Sequence, residues 1–231
     1  MSKSKLSNCL KLIFVIAIAS TLSSCKSQSV NLETLDPNLY DQSWLTGKPC
    51  GAPCWYGLEP GVSSRDDSIS KVKQIPFIDG NTASFSNPAV FPYLDEVDFQ
   101  YKKPQDANFV ELFFEKGILD EITFPPSYRI TFEQAVEKLG TPDGFSVVPN
   151  EGDGAGCRLD VMWKNKRLDL QYETGLLPII SFGPDTDLCH DEGKLPLPKG
   201  LLVQWVEITT SNEIQSMMQA NPPLGWMGFA K

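Results

Sequence analysis

Phe109-Val-Glu-Leu-Phe-Phe-Glu115-Lys116-Gly117-Ile118-Leu-Asp-Glu-Ile-Thr-Phe124 is the stretch that decides the fold class. Two runs rich in aromatic and branched side chains flank Lys116-Gly117, a pair suited to a tight turn, and so predict a hairpin of strands Phe109–Glu115 and Ile118–Phe124. Leu159–Lys164 and Arg167–Tyr172 make a second hairpin about Asn165-Lys166, with Val161 and Trp163 answered by Leu168 and Leu170. Glu96–Lys102 alternates. Ile179–Phe182 and Leu201–Ile208 are further strands, the last holding Trp205 as a core residue.

Helical signals are fewer. Ser63 or Ser64 caps a helix through Asp66 or Asp67, with Ile69, Val72 and Ile75 on one face and a stop before Pro76. Thr131 and Gln134 form a capping box ahead of Ala135, Val136 and Leu139, with Gly140 at the stop. A third helix runs from Ser211 to Ala220 with Ile214, Met217 and Met218 inward, ended by Asn221-Pro222-Pro223. Short helices followed by antiparallel hairpins mean an α+β fold rather than a parallel α/β sheet. Pro60-Gly61-Val62-Ser63 plus helix plus strands is echoed by Ile130-Thr131 plus helix plus strands. The echo predicts a tandem of two helix-then-meander halves, 46–126 and 127–231.

The N-terminus carries an address. Met-Ser-Lys-Ser-Lys, Lys11 and the apolar run Leu12 to Ala19 form a secretory signal over 1–24, too short to span a bilayer. The run ends in Leu22-Ser23-Ser24-Cys25, which resembles the bacterial lipobox, an aliphatic and two small residues before an acylated cysteine. The resemblance implies that Cys25 is lipidated, with palmitate-type chains holding the chain on a membrane. Residues 25–45 then read as lipidated N-terminus and tether, and 46–231 as the extracytoplasmic domain; Tyr40, Trp44 and Leu45 either begin the fold or pack across its edge. The expected location is the cell membrane or outer membrane, facing away from the cytoplasm.

Charge narrows the partners. The signal holds Lys3, Lys5 and Lys11 and no acid, so 17 of the 20 basic residues remain against 29 acidic ones, a net charge of −12. Phosphate binding needs a basic surface, which excludes nucleic acid and leaves only the lipid to engage the membrane. The expected partner is an envelope or surface protein.

Of six cysteines, Cys9 leaves with the signal and Cys25 carries lipid. Cys50, Cys54, Cys157 and Cys189 remain, an even number that reads as disulfides in an exported chain. Of the three pairings, Cys50–Cys54 across Cys-Gly-Ala-Pro-Cys and Cys157–Cys189 are favoured. Cys50-x-x-x-Cys54 also resembles the C-x-x-x-C of extracytoplasmic copper chaperones, which implies copper or thiol-redox chemistry with His190, the sole histidine, as third ligand.

Residues 53–61, Pro-Cys-Trp-Tyr-Gly-Leu-Glu-Pro-Gly, resemble a P-C-W-x-G-[IL]-x-P-G segment of uncharacterised bacterial lipoproteins. Ile130 to Asp143, ending Leu-Gly-Thr-Pro-Asp, is similar to the helix and Leu-Gly-x-Pro pattern of the SmpA/OmlA (BamE-like) lipoproteins. That resemblance implies a small helix-and-sheet scaffold domain without catalysis; related repeats build protein inhibitors of β-lactamase.

Enzyme chemistry finds little support. No G-x-S-x-G or H-E-x-x-H occurs, and the glycine-rich 151–156 lacks the lysine of a phosphate loop. The expectation is no enzyme and no cofactor. Asp185, Asp187 and Asp191 alternate as in a calcium loop, but Cys189 takes the third ligand place and the terminal glutamate is missing, so they stand as metal candidates only. Paired carboxylates acting on surface glycans are an alternative. Trp55, Tyr56 and Trp226 are the candidates for an exposed contact surface.

Overall fold

Lys116 and Gly117 both take positive φ, +51° and +79°, which folds Phe109–Glu115 (β3) back onto Ile118–Phe124 (β4). The computed structural model describes residues 31–86, 94–103, 109–149, 157–173, 196–197 and 199–229. Within them β3 and β4 sit in one antiparallel sheet with Ile78–Ser86 (β1), Leu94–Tyr101 (β2), Gly144–Pro149 (β5), Cys157–Trp163 (β6), Leu168–Glu173 (β7) and Trp205–Thr209 (β8). The order β1-β2-β3-β4-β8-β7-β6-β5 makes two four-stranded meanders joined through their last strands. The α+β expectation therefore holds in a sheet-dominated form.

Each meander follows an eight-residue helix that its sequence caps. Ser64 Oγ accepts from the Asp67 N–H at the start of Arg65–Val72 (α2), and Thr131 and Gln134 close the capping box of Phe132–Leu139 (α3). Ser211–Ala220 (α4) starts at Thr210, whose Oγ1 accepts from the Glu213 N–H. The expected strand at Leu201–Ile208 begins only at Trp205. Upstream, Leu201 to Val203 run beside the α3 entry, where Phe132 N donates to Leu201 O and Val203 N to Ile130 O. Ile179–Phe182 lies outside the described residues.

One sheet face is apolar. Phe99, Leu112, Phe124, Val206, Leu170 and Val161 are buried there in one cluster with Trp44, Trp55, Val72, Phe132 and Leu201. Burying such side chains stabilises by about 1.5–3 kcal/mol each, which sets strand register. The tether boundary at residue 45 needs correction. Ser43–Thr46 is a short helix (α1) whose Trp44 and Leu45 are in the core, and Asp41 is wholly buried. The fold thus begins ahead of residue 46, because Asp41 is held by four hydrogen bonds described below. Among the described residues no helix is long and apolar enough to cross a membrane.

Candidate functional site

The Pro-Cys-Trp segment is structural. Cys50 and Cys54 are joined, and the Gly57 N–H donates to Cys50 Sγ at 3.3 Å. Trp55, expected on a contact surface, is fully buried, stacked on Phe124 with its indole N–H on Asp41 Oδ2 at 2.7 Å. Asp41 Oδ1 also accepts from the Ser43 amide and hydroxyl, and its own N–H donates to Ser127 Oγ. Burial raises the Asp41 carboxyl despite these donors. Tyr56 is half-buried between Trp55 and Phe77, and Trp226 is half-buried against Phe145 and Phe229. The three aromatics do not form one exposed patch, because the segment's turn inserts the first indole into the core.

Cys157 is disulfide-bonded, and Cys189, its expected partner, lies outside the described set. Cys25, His190, Asp185, Asp187 and Asp191 lie outside it too, so the lipid, calcium and copper candidates have no geometry here. With Cys50 and Cys54 joined, neither sulfur is a thiolate ligand in this state.

The chemistry concentrates on the other sheet face. Cross-strand neighbours run Asp98, Glu111, Thr123, Glu207, Asp169, so the carboxyls form a band across β2, β3, β8 and β7. Asp160 of β6 and Glu121 of β4 adjoin it through Gln171 and Thr209. Trp205, expected in the core, falls on this face beside Phe109, because its cross-strand partner is Gln171.

Arg158 is the cation that faces this acid group within the second meander, its Nε 2.7 Å from Asp160 Oδ1. Gln171 Nε2 donates both to Asp169 Oδ2 at 3.0 Å and to Glu207 Oε2 at 2.7 Å. Asp169 Oδ1 is buried without a hydrogen-bond partner. Desolvation first, and then neighbouring acids, push Asp169 and Glu207 well above the ordinary carboxylate range. Toward the open end desolvation is again the main cause: Asp98 rises to about 6 with help from Glu96, and Glu111 to about 7 with help from Glu96 and Asp98. Glu96, Asp98 and Glu111 each offer an oxygen within 4.8 Å of the others, and all three are half-buried.

A cavity of about 600 Å³ opens where this face meets α4. Its wall is made by the loop at Pro60–Val62, the β3–β4 hairpin and the first residues of α4. Four polar contacts fix that geometry. The Gly61 N–H donates to Leu119 O and the Leu119 N–H to Ser63 O, stitching the loop to β4. Gly61 takes φ +81°, and a Cβ there would stand 3.6 Å from Thr210 Cγ2. Arg167, in the β6–β7 turn, reaches Glu59 Oε1 at 2.6 Å and Pro60 O at 3.2 Å, tying the loop to the second meander.

A β-bulge shapes the acidic wall. Phe113 pairs with Glu121 and Phe114 with Leu119, leaving Asp120 as the extra residue. Glu115, Asp120, Glu121 and Glu213 then line the cavity, with Val62 and Ile118 at 67% and 41% exposure on its lining. Burial pushes Glu121 to about 7; the Thr123 hydroxyl opposes this, and Asp120 and Glu213 add to it. Asp120 and Glu213 are raised by burial and by neighbouring acid.

No known protein family, curated protein or solved structure matches this chain. Sequence reasoning missed the cavity residues. Their signal is Leu119-Asp120-Glu121-Ile122, where two acids between apolar residues break strand alternation and mark the bulge.

Proposed function

We propose that this chain is a lipid-anchored, extracytoplasmic binding or scaffold module, held by Cys25 and non-catalytic, whose fold is a tandem of two helix-then-meander halves related to SmpA/OmlA-like lipoproteins. The observation that carries the binding role is the cavity beside α4: about 600 Å³, walled by four carboxyls and lined by the exposed apolar side chains Val62 and Ile118. Scaffold function needs a place where a partner is recognised, and this one lies at the β4–β8 seam that joins the meanders. The Cys50–Cys54 disulfide suits an oxidising compartment. A photo-crosslinking residue at position 62, introduced in cells that make the lipidated chain, tests the reading. Partner adducts are expected from position 62 and not from exposed Leu39; equal labelling from both sites refutes the assignment.

One observation favours a second reading. Glu121, with a carboxyl value of about 7 in a cavity shared with Asp120 and Glu213, has the protonation of a general acid in glycan hydrolysis. Turnover of envelope glycans by the wild type that disappears in Glu121→Gln would establish it.

A further inference from the structure

We propose that one end of the first meander rests on the headgroups of the membrane that holds the lipid, so that the cavity beside α4 opens away from the bilayer; the inference rests on the reading of Cys25 as lipidated. The strands give the meander two ends. Gln100 pairs with Phe109 and Glu111 with Thr123, so the close of β2, the start of β3 and the close of β4 share one end. The Lys116-Gly117 turn lies at the other. The seven residues of β3 separate them by about 20 Å at a strand's rise of about 3.3 Å per residue. The cavity is at the turn end, lined by Val62, Glu115 and Ile118.

The chain enters at the opposite end from the turn. Tyr40 meets Tyr128 edge-on at 6.4 Å, Lys103 Nζ stands 5.2 Å from the Tyr40 ring centre, and the Asp41 N–H donates to Ser127 Oγ at 2.9 Å. Tyr101, the last residue of β2, donates its hydroxyl to Pro125 O at 2.9 Å. Upstream, Gln42 Nε2 donates to Leu35 O at 3.0 Å, and Leu32 and Leu35 pack on the core, which keeps the segment from Asn31 close to its entry point. Cys25 and Asn31 are six residues apart, and a chain of that length spans at most about 20 Å. The entry end therefore touches the bilayer with slack, whereas the turn reaches it only by spending the whole span back along β3. Charge selects the same end. Lys102, Lys103 and Arg129 are exposed there, against Glu33 and Asp36 in the entering segment, in a mature chain of net charge −12. Anionic headgroups attract those cations within a Debye length and repel Asp120 and Glu213 at the turn end, where Lys116 is already paired with Glu115. Leu39, exposed beside Tyr40, adds apolar contact with the headgroup layer.

The test uses the full chain, processed in cells, extracted and reconstituted into vesicles of phosphatidylcholine and phosphatidylglycerol that carry a nitroxide headgroup lipid. A fluorescent non-canonical residue stands at position 39 in one sample and at position 116 in another. Quenching at position 39 is expected to exceed that at position 116 about threefold. Reversing charge in Lys102→Glu with Lys103→Glu is expected to lower the position 39 quenching about twofold in these vesicles and leave it unchanged in phosphatidylcholine alone. Thermal melts of each variant establish that it folds. Equal quenching at the two positions, or stronger quenching at position 116, overturns the orientation. Quenching at position 39 that ignores charge reversal in anionic vesicles overturns the headgroup contact. If the chain floats with the vesicles and the quenching pattern fails, the orientation falls and the anchored module stands; if the chain does not float with them, both fall.

Discussion

Raising the pH from 5 to 8 is expected to destabilise this protein, the reverse of the usual trend for acidic domains. The cause is the acid band. Among the described residues every carboxyl whose ionisation is displaced is displaced upward, with desolvation the first cause. A carboxyl raised on folding binds more protons in the native than in the unfolded chain, so its contribution is full below the unfolded value and lost as pH rises through the folded one. For Glu121 those values are 4.5 and about 7. At 1.36 kcal/mol per pH unit the full contribution is about 3.4 kcal/mol, of which about 2.5 kcal/mol disappears between pH 5 and pH 8. In a domain of this size that corresponds to a fall in Tm of roughly 5–10 °C from this residue alone. Glu111 acts in the same direction, with solvent screening much of its share, and Asp169 and Glu207 reinforce both. Calorimetric melts at constant ionic strength measure the slope. Glu121→Gln is expected to raise Tm at pH 8, leave it nearly unchanged at pH 5, and flatten the profile. A wild-type Tm that is level or rises from pH 5 to 8, or a slope untouched by Glu121→Gln, refutes the account.

Asp41→Ala removes the acceptor of the Trp55 indole and of both Ser43 donors in a closed core, and is expected to cost about 3 kcal/mol by urea midpoint. Replacing Cys50 and Cys54 by serine opens a very short loop, so chemical denaturation should show a loss of about 2 kcal/mol, far from abolishing the fold. Thr131→Ala breaks the α3 capping box and should lower stability by about 1 kcal/mol, with Thr131→Ser restoring most of it. Gly144→Ala brings a Cβ within 2.6 Å of Pro223 Cβ and 3.0 Å of Leu224 O, so residues 221–229 should leave the β5 edge and become cleavable by limited proteolysis.

What the sequence discloses is what is local. The Lys116-Gly117 hairpin, the Thr131 box and the Ser211–Ala220 helix depend on side chains within a few residues of one another, and each stands where its spacing puts it. Strands β1 and β5 carry no such signal. Ile78-Asp-Gly-Asn-Thr-Ala is polar because β1 is a sheet edge, with a register break between Asp79 and Ser84, and Gly144 sits in β5 because Pro223 leaves no room for a side chain. Trp55 misleads for the opposite reason. A turn of glycines and prolines suggests exposure, yet the indole enters the core because Asp41, 14 residues earlier, offers a buried acceptor.

The acid face shows why the site itself escapes a linear reading. Asp98, Glu111, Asp169 and Glu207 each alternate with apolar neighbours along their strands and fall on the face opposite the core, whereas Glu121 follows the bulge residue Asp120. Their proximity comes from the antiparallel junction of β4 with β8, which sets Thr123 against Glu207 and Glu121 against Thr209. No spacing rule in the chain encodes that junction. An apolar isostere at these positions would serve stability better, since a buried acid with one cation among several carboxyls carries an uncompensated desolvation penalty. Acids on this face are therefore a cost to the fold rather than a support of it. The same inference separates the two ends of the band: Asp169 and Glu207 are closed off, whereas Glu121 reaches a cavity large enough for a ligand. Under the binding-module reading, contact with a partner is expected at the Glu121 end. The closed end is protonated when Glu121 ionises, so the coupling runs outward-in: Glu121→Gln should lower the Glu207 ionisation midpoint in a carboxyl NMR titration, whereas Glu207→Gln should leave that of Glu121 nearly unchanged.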